Sequence, residues 1–578
     1  MGRRMLRATL ILAAAVAALP AAAHAATPQR WTLDAPGGAL EATVGARGGK
    51  LTLTARRAGR FVVRARLGPA TGRVEAVRRD RRSETFRTPA GKRRVHRIDA
   101  RRLRLAFPRR SLELLVAADG VAVRARGAHR GTVRWASAAG SRSWLQPLRS
   151  NYEARYREGL LREARRRPYA YPALVRTPAG DAALLTESGL PRGAAAGHLQ
   201  GARGLRVALP SGERETARTS WRLAVIGSLA TVVGSDLPLA LGARSRIADT
   251  SWIRPGRAAW SWWADSWSPR RLQDQRDHVD GAAAAGWEYV LVDEGWDAAW
   301  IPELVEYAAA RGVRVLLWSD WRDLATPAAR ASVLDRMAAW GVAGVKLDFL
   351  ESDRPARIGF MAAAARAAAR RRLIVSFHGV TVPRGLERTW PNVLTYEGVL
   401  GAEHAKSGAP IAPAHDVDLV FTRNAIGPMD YTPAALSARG QRSTVAHRLA
   451  QAIAFESGLQ SYADAPAGYA MHPEALELLA ATPAAWDDTR LLAGEPGRFA
   501  TLARRTGRAW FVGGLSATAA RTERVRLGFL GEGAYTATVT TDDGAGGLTS
   551  TTRPVTARDS LEVPVASDGG FTVRLVEG

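Results

Sequence analysis

Cysteine is absent from the 578-residue chain. That excludes disulfide staples, thiolate nucleophiles and Cys-ligated zinc, and it leaves stability to large apolar cores. Lysine is nearly absent too, occurring only at positions 50, 92, 346 and 406, so arginine carries the net charge of +28. The arginines are scattered through the N-terminal half rather than gathered in a tail, and no nucleic-acid motif accompanies them. Such a bias reads as solvated surface, and no nucleic-acid partner is expected. Beyond the first 25 residues no apolar run reaches the roughly 18 residues of a membrane helix, so no membrane partner is expected after that point.

What is present suits an ordinary globular protein: 46% of residues are apolar, with 56 Gly and 18 Trp. The length exceeds what one core serves, so several domains are expected. Residues 1–25 read as a signal peptide. Arg3, Arg4 and Arg7 are followed by an apolar run over 8–19 and by Ala23-His24-Ala25, a small-x-small cleavage site, so a secreted or periplasmic protein beginning at Ala26 is expected.

Residues 26–250 carry short alternating runs, such as 51–54, 61–67 and 102–107, broken by Gly, Pro and Asp. This predicts a large β-sandwich. Over 251–495 apolar runs alternate with Ala-rich helical stretches. Strands are predicted at 258–263, 289–292, 313–318, 344–347, 373–377 and 393–396, with weaker ones near 429–431 and 459–462. Eight such units over about 240 residues match a (β/α)8 TIM barrel. An open doubly wound sheet would carry a Gly-rich phosphate loop after its first strand, and none is present. The strand pattern returns over 496–578 and predicts a C-terminal antiparallel β domain.

Barrel enzymes place their chemistry where strands end. Here strand two ends in Asp293-Glu-Gly-Trp296, strand three in Trp318-Ser-Asp320, strand four in Lys346-Leu-Asp348, and strand five in His378-Gly379. Strand six ends in Glu397 and leads to Glu403. Any one of these acids alone reads as a helix N-cap, Asp320 above all; the whole set does not. Ten of the 18 Trp residues lie between 252 and 321. Aromatic faces stack on sugar rings, although about half of these indoles are expected to be core. Paired carboxylates beside a cleft are the machinery of glycoside hydrolysis, with several candidates here for each role.

The chain resembles glycoside hydrolase family 97. The resemblance runs through Trp252-Ile-Arg-Pro-Gly, Val290-Leu-Val-Asp-Glu-Gly-Trp, Gly344-Val-Lys-Leu-Asp-Phe, Phe377-His-Gly, Pro383-Arg-Gly-Leu-Glu-Arg-Thr-Trp, Tyr396-Glu-Gly-Val-Leu-Gly-Ala-Glu and Trp486-Asp-Asp-Thr. Asn151-Tyr-Glu and Thr186-Glu-Ser-Gly-Leu fit its N-terminal domain. The resemblance implies a β-super-sandwich, a barrel and a C-terminal β domain. It also implies an exo-acting, calcium-dependent α-glycosidase. Inverting members carry a Glu base after the strand-five His, where this chain has Gly379. The retaining branch implies Asp348 as nucleophile and Glu403 as acid/base. It further implies Lys346, His378, Asp293, Trp296, Trp318 and Arg388 about the substrate, and Glu153 and Glu397 as Ca2+ ligands. An α-linked galactoside is the expected substrate, with an α-glucoside as the alternative. A binding protein on a decayed barrel is disfavoured, because both catalytic carboxylates are present.

Overall fold

The computed structural model describes residues 29–69, 72–127, 133–202, 204–407 and 410–578. The expected signal peptide lies outside these residues. Among the described residues, no helix is long and apolar enough to cross a membrane.

The N-terminal region is two packed antiparallel sheets of eight and nine strands. Alternation makes them. In Leu40–Arg47 and Lys50–Arg57, residues Leu40, Ala42, Val44, Leu51, Leu53 and Ala55 point inward, and the residues between them face outward. The inward set joins Leu103, Leu105, Leu112 and Leu114 in one core. That core does not stop at the sandwich. It continues through Val417, Leu419 and Phe421 to Ala500, Leu502 and Leu515, so the three regions share apolar burial.

The central region is a parallel barrel. Its strands are β1 (Gly256–Trp260), β2 (Tyr289–Val292), β3 (Arg314–Asp320), β4 (Gly344–Asp348), β5 (Ile374–Phe377), β6 (Val393–Tyr396) and β7 (Leu459–Tyr462). They are buried on both faces, as parallel strands wrapped by helices must be. The ladder runs from β6 back to β1 and on to β7. The barrel is nearly closed: among the described residues seven strands are laddered, and residues 429–431 lie between β6 and β7 without forming an eighth. Single backbone bonds bridge the gap, Asp430 N–H to Tyr396 O at 2.9 Å and Met429 N–H to Glu456 O at 3.0 Å. Pro428 and Pro433, which lack N–H donors, flank the segment and deny it a longer ladder.

The C-terminal region is a six-stranded antiparallel sheet with a two-stranded companion. Its first strand is Asp488–Glu495, so the sheet begins ahead of the boundary expected at 496. The sheet docks on the helix that precedes β7, Val445–Ala454, through Gly513, where a Cβ would lie 3.0 Å from Ala450 O.

Beneath the barrel the loop around Lys92 joins all three regions. The Lys92 ammonium, fully buried, donates to Ser235 O at 2.9 Å and Ala425 O at 2.6 Å, and its carbonyl accepts from Thr489 Oγ1 at 2.8 Å. Burial depresses its pKa to about 8. Nearby, Glu456 Oε1 is buried without a hydrogen-bond partner. Burial pushes this carboxyl up from 4.5 to about 7, against the pull of Arg504, Lys92 and Arg423. The folded state thus holds the proton more tightly than the unfolded chain. The stabilisation from Glu456 is complete below 4.5 and is lost as pH rises through about 7. The thermal midpoint should fall across that window, and Glu456→Gln should flatten part of the slope. An unchanged slope in the variant would assign the titration to other groups.

Candidate active site

The parallel register sets the layers of the barrel interior. Trp318 lies beside Lys346, and Lys346 beside Ser376; one layer higher, Asp320 lies beside Asp348. Residues two apart on a strand face the same way, so Lys346 sits directly below Asp348. The Lys346 ammonium is buried and pairs with Asp293 Oδ2 at 2.9 Å, and Asp293 also accepts from Trp260 Nε1 at 2.7 Å and Glu294 N–H at 2.8 Å. Burial opposes a charge on Lys346, but Asp293, Asp348 and Glu403 outweigh it and hold its pKa above the usual lysine value. Against its burial, Lys346, the Glu294 N–H and Trp260 hold Asp293 below the usual carboxylate range.

Asp348 is fixed from two sides. Its Oδ2 accepts from Trp318 Nε1 at 3.1 Å, and its Oδ1 accepts from Phe349 N–H at 2.6 Å. The chain then turns through left-handed backbone at Phe349, with φ +57°. Gly379 lies against this turn, itself at φ +49°. A Cβ there would meet Phe349 Cα and N at 3.1 Å and Asp348 Oδ1 at 3.2 Å. A side chain at 379 would both strain the backbone and press on the carboxylate of Asp348.

Across the mouth, His378, Glu397 and Glu403 bring ligand atoms within 4.8 Å of one another. Gly379 N–H donates to Glu397 Oε2 at 2.7 Å, and His378 Nδ1 lies 3.5 Å from the same oxygen. Glu397 is buried, and burial together with Glu403, Glu153 and Asp348 drives its pKa well above the carboxylate range. Glu153 arrives from the sandwich on a loop whose Tyr152 has φ +66°. Its Oε2 lies 3.0 Å from His404 Nε2, and this contact raises the pKa of His404. Burial raises that of Glu153, with Glu403 adding to the effect.

The structure thus gathers Asp293, Lys346, Asp348, His378, Glu397, Glu403, Glu153 and Trp318. Two expected substrate residues lie elsewhere. Arg388 is on the short helix Leu386–Thr389 at the seam with the sandwich. There it donates to Glu84 Oε1 at 2.7 Å and Gly242 O at 3.0 Å and covers the Phe86 ring. A buried guanidinium takes the carboxylate and carbonyls that satisfy it, and those belong to the sandwich. Trp296 donates from Nε1 to Trp318 O at 2.8 Å and packs edge-on to Trp340, within the helix layer. Asp320 is a helix cap, accepting from Arg322 N–H at 2.8 Å.

One residue at the site was missed by sequence reading. Asp430 Oδ2 lies 2.8 Å from His378 Nε2 and accepts from Ser461 Oγ at 3.3 Å. It orients the imidazole that stands beside Glu397. The signal for it was the weak strand predicted at 429–431, with an acid at its centre.

Convergent acids beyond the carboxyl ends of barrel strands, seated on an ion pair and flanked by indoles, define a hydrolase of the glycoside-cleaving class. Comparison with known proteins agrees. Residues 252–399 match the family described as Glycoside hydrolase 97, residues 33–243 its N-terminal region, and residues 485–576 its C-terminal region, described as serving oligomerisation. A probable retaining alpha-galactosidase of Streptomyces bingchenggensis (strain BCW-1) is 38% identical over 630 aligned positions, covering 99% of this chain and 97% of the relative. A retaining alpha-galactosidase of Bacteroides thetaiotaomicron is 33% identical over 399 positions, covering 61% of this chain and 59% of the relative. Among solved structures, a family 97 enzyme of Pseudoalteromonas sp. strain K8 in complex with acarbose has a TM-score of 0.86 at 22% identity, covering 95% of this chain and all (100%) of that one. The chain belongs to glycoside hydrolase family 97.

Gly379→Ala should leave the protein folded while lowering kcat by about 10-fold or more, because small displacements of a reacting group are costly. Wild-type kcat in a folded variant would show that the close approach at 379 does not hold Asp348.

Proposed function

We propose that this family 97 hydrolase is a retaining, exo-acting α-galactosidase. The observation that carries the reading is the packing at Gly379. The space a strand-five carboxylate would need is taken by Phe349 and Asp348 Oδ1, while Asp348 is held by two N–H donors. That arrangement suits a nucleophile and leaves no room for an inverting base. The name shared by the two relatives, retaining alpha-galactosidase, supports the same reading.

In the first step the Asp348 carboxylate bonds to the anomeric carbon as the glycosidic bond breaks, and Glu403 gives its proton to the departing oxygen. In the second, a water oxygen attacks the same carbon and displaces Asp348 while Glu403 takes up the water proton. Two inversions return the original configuration. Lys346, charged and paired with Asp293, lies under Asp348 and opposes accumulation of negative charge at the barrel centre. Asp430 holds the ring of His378.

The product formed first from nitrophenyl α-galactoside, followed by NMR, should be the α-anomer. Asp348→Gly with added azide should yield β-galactosyl azide. A β-anomer from the wild type, or full activity in Asp348→Gly without azide, would remove Asp348 from the role. The α-glucoside is the second substrate to assay, since the similar Pseudoalteromonas structure holds acarbose.

We also propose a calcium ion at the crowded acids. Buried Glu397 faces Glu153, Glu403 and Asp348, and a carboxyl forced up by its neighbours is the donor set a hard divalent cation relieves. Glu397 and Glu153 would hold it, and bound there it would polarise the mouth beside Glu403. Chelation should lower both kcat and the thermal midpoint, with recovery on adding calcium. An enzyme indifferent to chelation would refute the site.

A further inference from the structure

Among the described residues only two aromatic rings are exposed, Trp267 at 63% and Phe349 at 41%, and both belong to barrel-mouth loops. Phe349 directly follows Asp348 and meets the Trp318 ring edge-on at 5.9 Å. Trp267 sits on the loop after β1. That loop is tied to the segment carrying Glu403: the Lys406 ammonium donates to Trp262 O and lies 4.2 Å from the Trp262 ring centre. Trp262 is thereby half-buried, with Lys406 and a stacked Trp260 at 5.7 Å against it. Trp267 is not.

The loop holding Trp267 is tied down by hydrogen bonds. Trp267 N–H donates to Asp265 Oδ1 at 2.9 Å, Ser268 Oγ to Ser261 Oγ at 2.7 Å, and Gln275 Nε2 to Ser261 Oγ at 3.0 Å and Ser268 O at 2.9 Å. The Arg270 guanidinium lies 4.5 Å from the ring centre on one face and leaves the rest of the indole to solvent. Ordering an indole in advance removes the entropy that a ligand would otherwise have to overcome. A terminal sugar cut by an exo-acting enzyme lies deepest, against Lys346, Asp348 and His378, so the rest of the substrate must leave past the rim on the side of the acid that protonates it.

We propose that Trp267 is the stacking platform for the sugar of the leaving group, making the enzyme selective for oligosaccharides over small galactosides. The proposal rests on the retaining α-galactosidase reading. Its chemistry is an indole face against the apolar C–H face of a pyranose ring.

The test compares wild type, Trp267→Ala and Trp267→Phe on α-galactosyl fluoride, which has no leaving-group ring, and on a galactose-terminated trisaccharide. Trp267→Ala should raise KM for the trisaccharide about tenfold with kcat largely kept, and Trp267→Phe should restore most of the loss. On the fluoride both variants should stay within about twofold of wild type. Equal losses on fluoride and trisaccharide, or no loss on the trisaccharide, would overturn the proposal. A wild type that ignores α-galactosyl fluoride but hydrolyses α-glucosyl fluoride would overturn the galactoside reading instead, and the same comparison in glucosides would then decide the role of Trp267.

Discussion

The site depends on one buried cation. Arg384, in the loop after β5, reaches out of the barrel and donates to Glu187 of the sandwich, to Tyr152 Oη at 2.9 Å and to Gly197 O at 3.1 Å. Glu187 is wholly buried and also takes Gly197 N–H at 2.6 Å, Ser220 Oγ at 2.8 Å and an ion pair with Arg222. A charge so deep is tolerated only with every oxygen engaged, and removing one partner would strand the others. Tyr152 then donates to Asp353 Oδ2 at 2.6 Å, beyond β4. The residue after Tyr152 is Glu153. The clamp that joins sandwich to barrel therefore also delivers a sandwich carboxylate to the barrel mouth, and neither domain alone contains the complete site.

Close approach of backbone reinforces this seam. A Cβ at Gly242 would lie 2.4 Å from Gly385 O, immediately after Arg384 in the chain. The same economy of space operates at Gly379, where absence of a side chain lets the turn after Asp348 close against strand five. At both places glycine is chosen by what must come near it. At 379 the consequence is chemical, because the alternative occupant of that space would be a second carboxylate beside Asp348.

Most of the fold was legible because apolar period is local. Alternation in 51–54 and 102–107 marked the sandwich, and Val, Leu and Ala runs marked the buried parallel strands. The ends of those strands pointed to Asp293, Asp348, His378 and Glu397, since in a barrel the chain position of a strand end fixes its place at the rim. The errors share a cause. Arg388 and Trp296 were placed near the substrate because they stand in the family motifs; Arg388 instead took its partners from the sandwich, and Trp296 spends its N–H on the backbone of Trp318. Asp430 escaped because residues 429–431 fill a strand's position with two backbone bonds and no ladder. The C-terminal sheet began early because Asp488–Glu495 pairs with Phe499–Thr506 across a short turn that composition does not distinguish from the barrel's end.

By itself the sequence determined the three-region order, the carboxylate-bearing strand ends and the family, for these follow from periodicity, spacing and motif. The tertiary structure alone decided which acids meet. Glu153 and Glu403 are far apart in the chain, and only the Arg384 clamp and the loop at 402–407 bring their charges to bear on Glu397. Nor could the sequence tell which Trp would be covered. Trp262 and Trp267 lie five positions apart on one loop, yet a lysine from the loop of Glu403 packs on the first, which is half-buried, while the second stays in solvent. Burial is set by what packs from elsewhere in the chain, and local sequence carries no record of it.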